Sequence, residues 1–334
     1  MVRNNSLETR FLKLYFVNLN MGKKVLFAEG AGEPVRAKKT VVTSLLKRMG
    51  AKLDSFESLK NNLLRFGYSV QYSERRRLSL QFLRNYDILV VYNPTRPLGA
   101  NEIIAIEKFV QLGGSLLLIG QYSLPTLPFI STEIPFKIAD IPSTFSGIGS
   151  GLSKFYEYIN NISRKFGIFF ISTYLKGGKN SYFPKRPTTT SNRPGFKIPL
   201  ISHFEPCPIF RKIQNFYYSG CCLEVTAEAK PLAYSDPDTT PPKAIVMATS
   251  QLNEGRVFAT GSPIIFAQGI GEPQNNNNRQ HAQLALNIFT WLAHKGQVKA
   301  AEPKDTTSPL KICPFCQHQN PTGESFCHNC GASI

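Results

Sequence analysis

The chain has 334 residues, 42% of them hydrophobic and 11% aromatic, which excludes wholesale disorder and exceeds what one small module needs. Its densest apolar runs, Ser115–Ile119 and Ile168–Ile171, fall far short of the ~20 residues that cross a bilayer, so no transmembrane segment is expected. The 39 Lys and Arg residues against 22 Asp and Glu give a formal net charge of +17, which favours acidic partners without specifying a fold or a site.

Residues 1–21 read as an N-terminal extension. Phe11–Val17 is apolar and follows Arg3 and Arg10, but Lys13 interrupts it and no small-residue cleavage site follows, so it does not make a secretory signal. Met1 and Met21 both stay open as the initiator, and a cytoplasmic protein is expected. The seven cysteines agree with a reducing compartment, because the count is odd and four of them have metal-ligand spacing.

An α/β body is expected over 22–295. Val25–Ala28 is a short apolar run that reads as a buried strand, ending in Glu29-Gly30-Ala31-Gly32. Val41, Val42, Leu45, Leu46 and Met49 step by three and four and predict a helix. A second helix carries Phe56, Leu59, Leu63 and Phe66 behind the capping residues Asp54 and Ser55, and stops at Gly67. Tyr68, Val70 and Tyr72 make a short strand, Leu80–Arg84 a brief helix, and Asp87–Tyr92 a strand ended by Asn93-Pro94. The helix Ala100–Leu112 closes at Gly113-Gly114, and Ser115–Ile119 is the fourth strand.

Four strands separated by helices predict right-handed crossovers and a doubly wound, mostly parallel α/β sheet. Ligands of such sheets gather at the carboxyl ends of the strands. The cleft candidates are therefore Glu29, Gly30 and Gly32; Asn93, Thr95 and Arg96; Gly120, Gln121 and Tyr122; and Gly261 with Ser262 after a later strand. Glycines there also suit any tight strand-to-helix turn. Gly30-Ala31-Gly32 lacks the third glycine of a dinucleotide fingerprint, and there is no Walker lysine motif.

Beyond Gly120 the pattern is harder to follow. Leu152–Phe166 predicts a helix, Gly167–Ile171 a strand, and 175–196 a polar, basic insertion. Strands follow at Phe216–Tyr218, Cys221–Val225, Pro231–Tyr234, Ala244–Thr249 and Arg256–Thr260, with a hairpin turn at Asn253-Glu254-Gly255. Leu284, Ile288, Phe289, Trp291 and Leu292 mark a closing helix whose apolar face covers the sheet. Cys221 and Cys222, adjacent in a strand, point to opposite faces and read as inert, buried thiols, as does Cys207.

Residues 296–310 have linker composition. Cys313-Pro314-Phe315-Cys316 and Cys327-His328-Asn329-Cys330 then form two Cys-x-x-Cys turns, so that four thiolates can converge tetrahedrally on one ion. One structural Zn2+ held by Cys313, Cys316, Cys327 and Cys330 is expected in a ribbon over 311–334, where so short a segment needs the metal to fold. Four protein ligands leave no open position for water, and His318 and His328 are surplus to the ion.

The positive charge is uneven. Residues 1–77 hold 16 basic and 6 acidic side chains and 130–215 hold 12 and 4, whereas the remainder is balanced. Arg75-Arg76-Arg77 and the Lys176–Lys197 segment could line a phosphate-binding surface, although solvated faces explain the same counts and no nucleic-acid motif accompanies them.

Asp87–Tyr92, the helix Ala100–Leu112, Gly113–Gly120 and Gly255–Ser262 together resemble the class I glutamine amidotransferase-like superfamily. The likeness is strongest to its non-catalytic branch in gliding-motility transporter components and in the N-terminal domain of an intraflagellar-transport protein. Residues 311–332 resemble the zinc-ribbon tails of archaeal and bacterial proteins. Catalytic members place a nucleophilic Cys in a tight elbow after the strand matching Ser115–Ile119; here that elbow reads Gly120-Gln121-Tyr122-Ser123, without a cysteine. The resemblance thus implies a non-enzymatic binding or scaffold protein with a protein partner and a ribbon as second contact. Two alternatives remain: a nucleic-acid-associated protein using the basic segments and the ribbon, and a hydrolase or amidotransferase using Ser123 with His203 as base. The oligomeric state is open.

Overall fold

A computed structural model describes residues 22–28, 57–73, 76–92, 94, 96–120, 155–178, 181, 198–266, 277–293, 310–313 and 319–321. In chain order the first half contains β1 (Lys24–Phe27), α1 (Glu57–Arg65), β2 (Ser69–Tyr72), α2 (Leu80–Leu83), β3 (Ile88–Tyr92), α3 (Ala100–Gln111) and β4 (Ser115–Ile119). The second half adds α4 (Phe155–Ser163), β5 (Ile168–Tyr174), β6 (Leu200–Ile201), β7 (His203–Phe204), β8 (Phe216–Tyr217), β9 (Cys221–Val225), β10 (Ala229–Tyr234), β11 (Ile245–Leu252), β12 (Gly255–Thr260) and α5 (Asn277–Ala293). A separate hairpin is formed by β13 (Leu310–Ile312) and β14 (Gln319–Pro321). The expected helix over Val41–Met49 and its neighbours Asp54 and Ser55 lie outside the described residues.

The strand order is β2-β1-β3-β4-β12-β11-β10-β7. From β2 to β12 every pairing is parallel, as the alternation of strands and helices requires. From β12 onward every pairing is antiparallel, so antiparallel strands extend the parallel block. The change of direction follows from the β11–β12 hairpin, where Asn253 adopts a left-handed φ of 54°. A two-residue connection can join only antiparallel neighbours.

Both faces at the centre of the parallel block are covered, so β3 and β4 are buried throughout Ile88–Val91 and Ser115–Ile119. Val25, Phe27, Ile88, Val90, Leu117, Ile119 and Phe258 face one layer, formed by α1, α5 and the segment around β6 and β8. Leu26, Leu89, Val91, Leu116, Leu118, Val257 and Ala259 face the other, formed by α2, α3 and α4. α5 covers the sheet as expected, with Leu284, Ile288, Phe289 and Leu292 fully buried.

Local chemistry sets the ends of the helices. After α1, Tyr68 N donates to Leu63 O at 3.1 Å and Gly67 N to Leu64 O at 3.2 Å, with Gly67 at a φ of 86°. α3 ends the same way, with Gly114 N donating to Phe109 O at 3.0 Å and Gly113 N to Val110 O at 2.9 Å. These paired bonds satisfy carbonyls that a helix end leaves open. At the amino ends of the strands, Asp87 ties β1 to β3 by accepting from Lys23 Nζ at 2.9 Å and Lys24 N at 2.8 Å.

Candidate ligand rim at the strand ends

Of the cleft candidates, Arg96, Gly120, Gly261 and Ser262 belong to the described residues; Glu29, Gly30, Gly32, Asn93, Thr95, Gln121 and Tyr122 lie outside them, as does Ser123. The parallel pairing of β4 and β12 brings Gly120 and Gly261 side by side, with Gly120 N donating to Thr260 O at 2.8 Å.

β9 continues the sheet immediately beyond β12. β12 pairs with β11 as far as Thr260 opposite Met247, and past that point Ile245 of β11 pairs with Leu223 of β9. Cys221 N donates to Gly261 O at 3.1 Å, so β9 starts where β12 stops. β5 lies antiparallel beside β9, and together they cross the carboxyl ends of β4 and β12.

The consequence at the elbow is steric. A Cβ placed on Gly120 would meet ring carbons of Phe170 at 2.6 and 2.7 Å and the Cys221 thiol at 3.1 Å. Phe170 is held there by Asn160 of α4, whose amide accepts from Phe170 N at 2.8 Å and donates to Phe170 O at 2.9 Å. Gly220 passes so close to the backbone of Gly261 and Ser262 that a side chain has no room. Ser262 Oγ closes the crossing by donating to Ser219 O at 2.8 Å and accepting from Ser219 N at 3.1 Å.

A cysteine therefore does reach the rim, but from β9 rather than from the turn after β4. Cys221 is fully buried, and its thiol directs a 3.7 Å contact to Gly261 O. Burial, and then Cys222, push the Cys221 thiol far above its ordinary range, which favours the protonated form. Cys222 faces the opposite layer, and burial pushes it up to about 11.

Arg96 is committed elsewhere. Its two terminal nitrogens fork onto the carboxylate of Glu102, each at 3.0 Å. Glu102 also accepts from Gly99 N at 3.0 Å and Leu78 N at 3.2 Å. Burial alone would raise the Glu102 carboxyl, but the Arg96, Gly99 and Leu78 hydrogen bonds outweigh it and hold the group below the usual carboxylate range. This cluster shapes the turn between β3 and α3.

The two described body histidines have separate surroundings. His281 is fully buried on α5 and accepts from Tyr217 N at 2.9 Å through Nε2, a structural role. His203 sits on edge strand β7, with β10, β11 and β12 between it and β4, a lateral span of about 19 Å at the usual strand spacing. Its Nδ1 lies 2.9 Å from Asp236 Oδ1, while Asp236 also accepts from Ser202 N at 2.9 Å and Ser202 Oγ at 2.8 Å. Burial would raise Asp236, yet the His203 and Ser202 hydrogen bonds hold it below its ordinary value. Ser202 binds the acid and approaches Nδ1, not Nε2, so the three residues do not form a nucleophile–base–acid relay. Asp236 is 33 positions from His203, and no local spacing announces the pair.

Fold and rim define an α/β protein with a doubly covered parallel block and an antiparallel pair laid over its strand ends. No protein-family model matches the chain, and no curated protein matches it. Solved structures of similar fold include the N-terminal domain of mmIFT52, at 14% identity and a TM-score of 0.49 over 81% of this chain and 98% of that one. A cytoplasmic protein from Salmonella typhimurium LT2 aligns at 13% identity with a TM-score of 0.48, covering 80% of this chain and 99% of that one. A ThuA-like protein from Bacteroides uniformis aligns at 12% identity with a TM-score of 0.42, covering 82% and 92%.

Proposed function

We propose that the chain is a non-catalytic binding or scaffold protein whose amidotransferase-like body recognises a protein partner and whose C-terminal ribbon supplies a second contact. The observation that carries this reading is the close packing against Gly120, the residue that follows β4. At the carboxyl end of β4, Phe170 and Cys221 pack so closely against Gly120 that a side chain there has no room. Acyl transfer needs a nucleophile within hydrogen-bond reach of a base and room for the acyl group. The packing at Gly120 supports a rim without that room, and three strands, about 19 Å of sheet, separate His203 from β4.

The ribbon is read as holding one structural zinc ion. Cys313 follows β13 directly and is fully buried. The register of Ile312 opposite Gln319 closes a hairpin around residues 313–318, which contain the first Cys-x-x-Cys turn. A buried thiol at the mouth of a six-residue turn suits a soft thiolate ligand, and the remaining donors, Cys316, Cys327 and Cys330, lie outside the described residues. Bound zinc would supply folding energy to this short module and no chemistry.

The test is an affinity pull-down from native lysate with and without nuclease, comparing the full chain with a form ending at Lys295. This reading expects a defined protein partner retained after nuclease and weakened on loss of the ribbon. Recovery that disappears with nuclease, or with modest salt, assigns the basic segments to nucleic acid instead.

A further inference from the structure

α1 and α5 lie in one layer and meet where the Tyr68 ring stands edge-on to Phe289, with centroids 6.1 Å apart. On the amino-terminal side of that contact the helices part around a cavity of about 310 Å³. Leu59, Leu63 and Phe66 form one wall, Ala282 and Leu286 of α5 form the other, and Phe266 lines it as well. No charged side chain lines the cavity, so it suits apolar side chains rather than a phosphate or a carboxylate.

The chain also carries an apolar run that neither the sheet nor the ribbon uses. Phe11–Val17 is apolar except for Lys13, lacks the features of a secretory signal and lies outside the described residues. The chain enters the fold beside the cavity. Ser69 N donates to Lys23 O at 2.8 Å, and Phe66 precedes Ser69 by only three residues. Three residues span at most about 10 Å, and the six steps from Val17 to Lys23 at most about 20 Å. The run therefore reaches Phe66 and can follow the α1 wall, which is about 10 Å long from Leu59 to Phe66.

We propose that Phe11–Val17 docks in the groove between α1 and α5 of its own chain, with its apolar side chains against Leu63, Phe66 and Leu286. Tethering favours this occupant over a free partner, because a short linker holds the run near its groove at an effective concentration on the order of millimolar. A chain beginning at Met21 would present the same groove uncovered.

The test places the photo-crosslinking residue p-benzoylphenylalanine at Phe16 of the full-length chain and maps adducts by peptide mass spectrometry. Crosslinks within one chain to the Leu59–Phe66 or Ala282–Leu286 peptides are expected, with a yield independent of protein concentration. Ala282→Trp fills the groove from a half-buried position and should abolish those crosslinks while circular dichroism stays unchanged. Asn62→Trp, from the opposite wall, provides the same test if Ala282→Trp does not fold. Absence of these crosslinks from Phe16 overturns the proposal, as does a yield that survives both fillings in folded protein. Crosslinks that join two chains assign the groove to a second copy and overturn it too. A probe at Leu46 that captures these peptides when Phe16 does not would give the groove to Val41–Met49 instead.

Discussion

Phe170 stands over Gly120, its ring carbons 2.6 Å from where a Gly120 side chain would begin. That one contact couples the end of β4 to the β5–β9 pair. Gly120→Ala should destabilise the protein by about 1–3 kcal/mol through overpacking. In a Phe170→Leu background the same change should cost less, with a coupling of about 1 kcal/mol or more. Denaturant titration of the four proteins measures it; additive effects would place Phe170 away from the elbow.

Asn160 substitutes for a missing neighbour of β5 by bonding both the N–H and the carbonyl of Phe170. Asn160→Ala strands two buried backbone groups, and about 2–4 kcal/mol of stability should be lost. A loss near zero in the same titration would mean that water replaces the amide without cost.

Much of this was legible beforehand and some was not. The buried strands β1, β3 and β4 and the glycine-ended helices α1 and α3 announce themselves, because each rests on local periodicity and a local stop. The filling of the rim does not. It depends on Phe170 and Cys221 arriving from strands 50 and 101 positions beyond Gly120, and nothing in Ile168–Tyr174 distinguishes a strand that plugs a site from one that extends a sheet. The antiparallel half was legible as strands but not as a topology, since a hairpin at Asn253 says nothing about which partner β12 finds on its other side. Arg96 read as a rim cation, and only the fold reveals that Glu102, six residues on, occupies it.

Acid should weaken the fold through Glu102 and Asp236. Both carboxyls are held below their ordinary values when folded, so their contribution is complete above the unfolded values of about 4.3 and 3.9 and is lost as pH falls through the folded ones. Glu102→Gln should lower stability at neutral pH by about 1–2 kcal/mol, since the charge-assisted bonds to Arg96 weaken. The deficit relative to the parent chain should shrink below pH ~4. Thermal melts of both proteins across the acid range check this; a constant deficit would show that Glu102 is not ionised in the fold.

Removing the ribbon metal should have a local effect. The full chain should carry one zinc per molecule by elemental analysis, and a strong chelator should expose four thiols to a colorimetric reagent while the melting of the α/β body stays unchanged. Cys316→Ser should abolish the tight equivalent. Retention of the metal in that variant would remove the four-thiolate assignment.

The central proposal is that the body binds a partner without acting on it, with Phe170 and Cys221 packed against Gly120 at the end of β4. The most direct measurement exposes the native full-length chain to serine- and thiol-reactive electrophiles and maps every adduct by mass spectrometry. Burial of Cys221 predicts no adduct there until the protein is unfolded, and a non-catalytic body predicts none on Ser123. Stoichiometric labelling of either residue in the folded protein, with matching turnover of an ester or amide substrate, would contradict it.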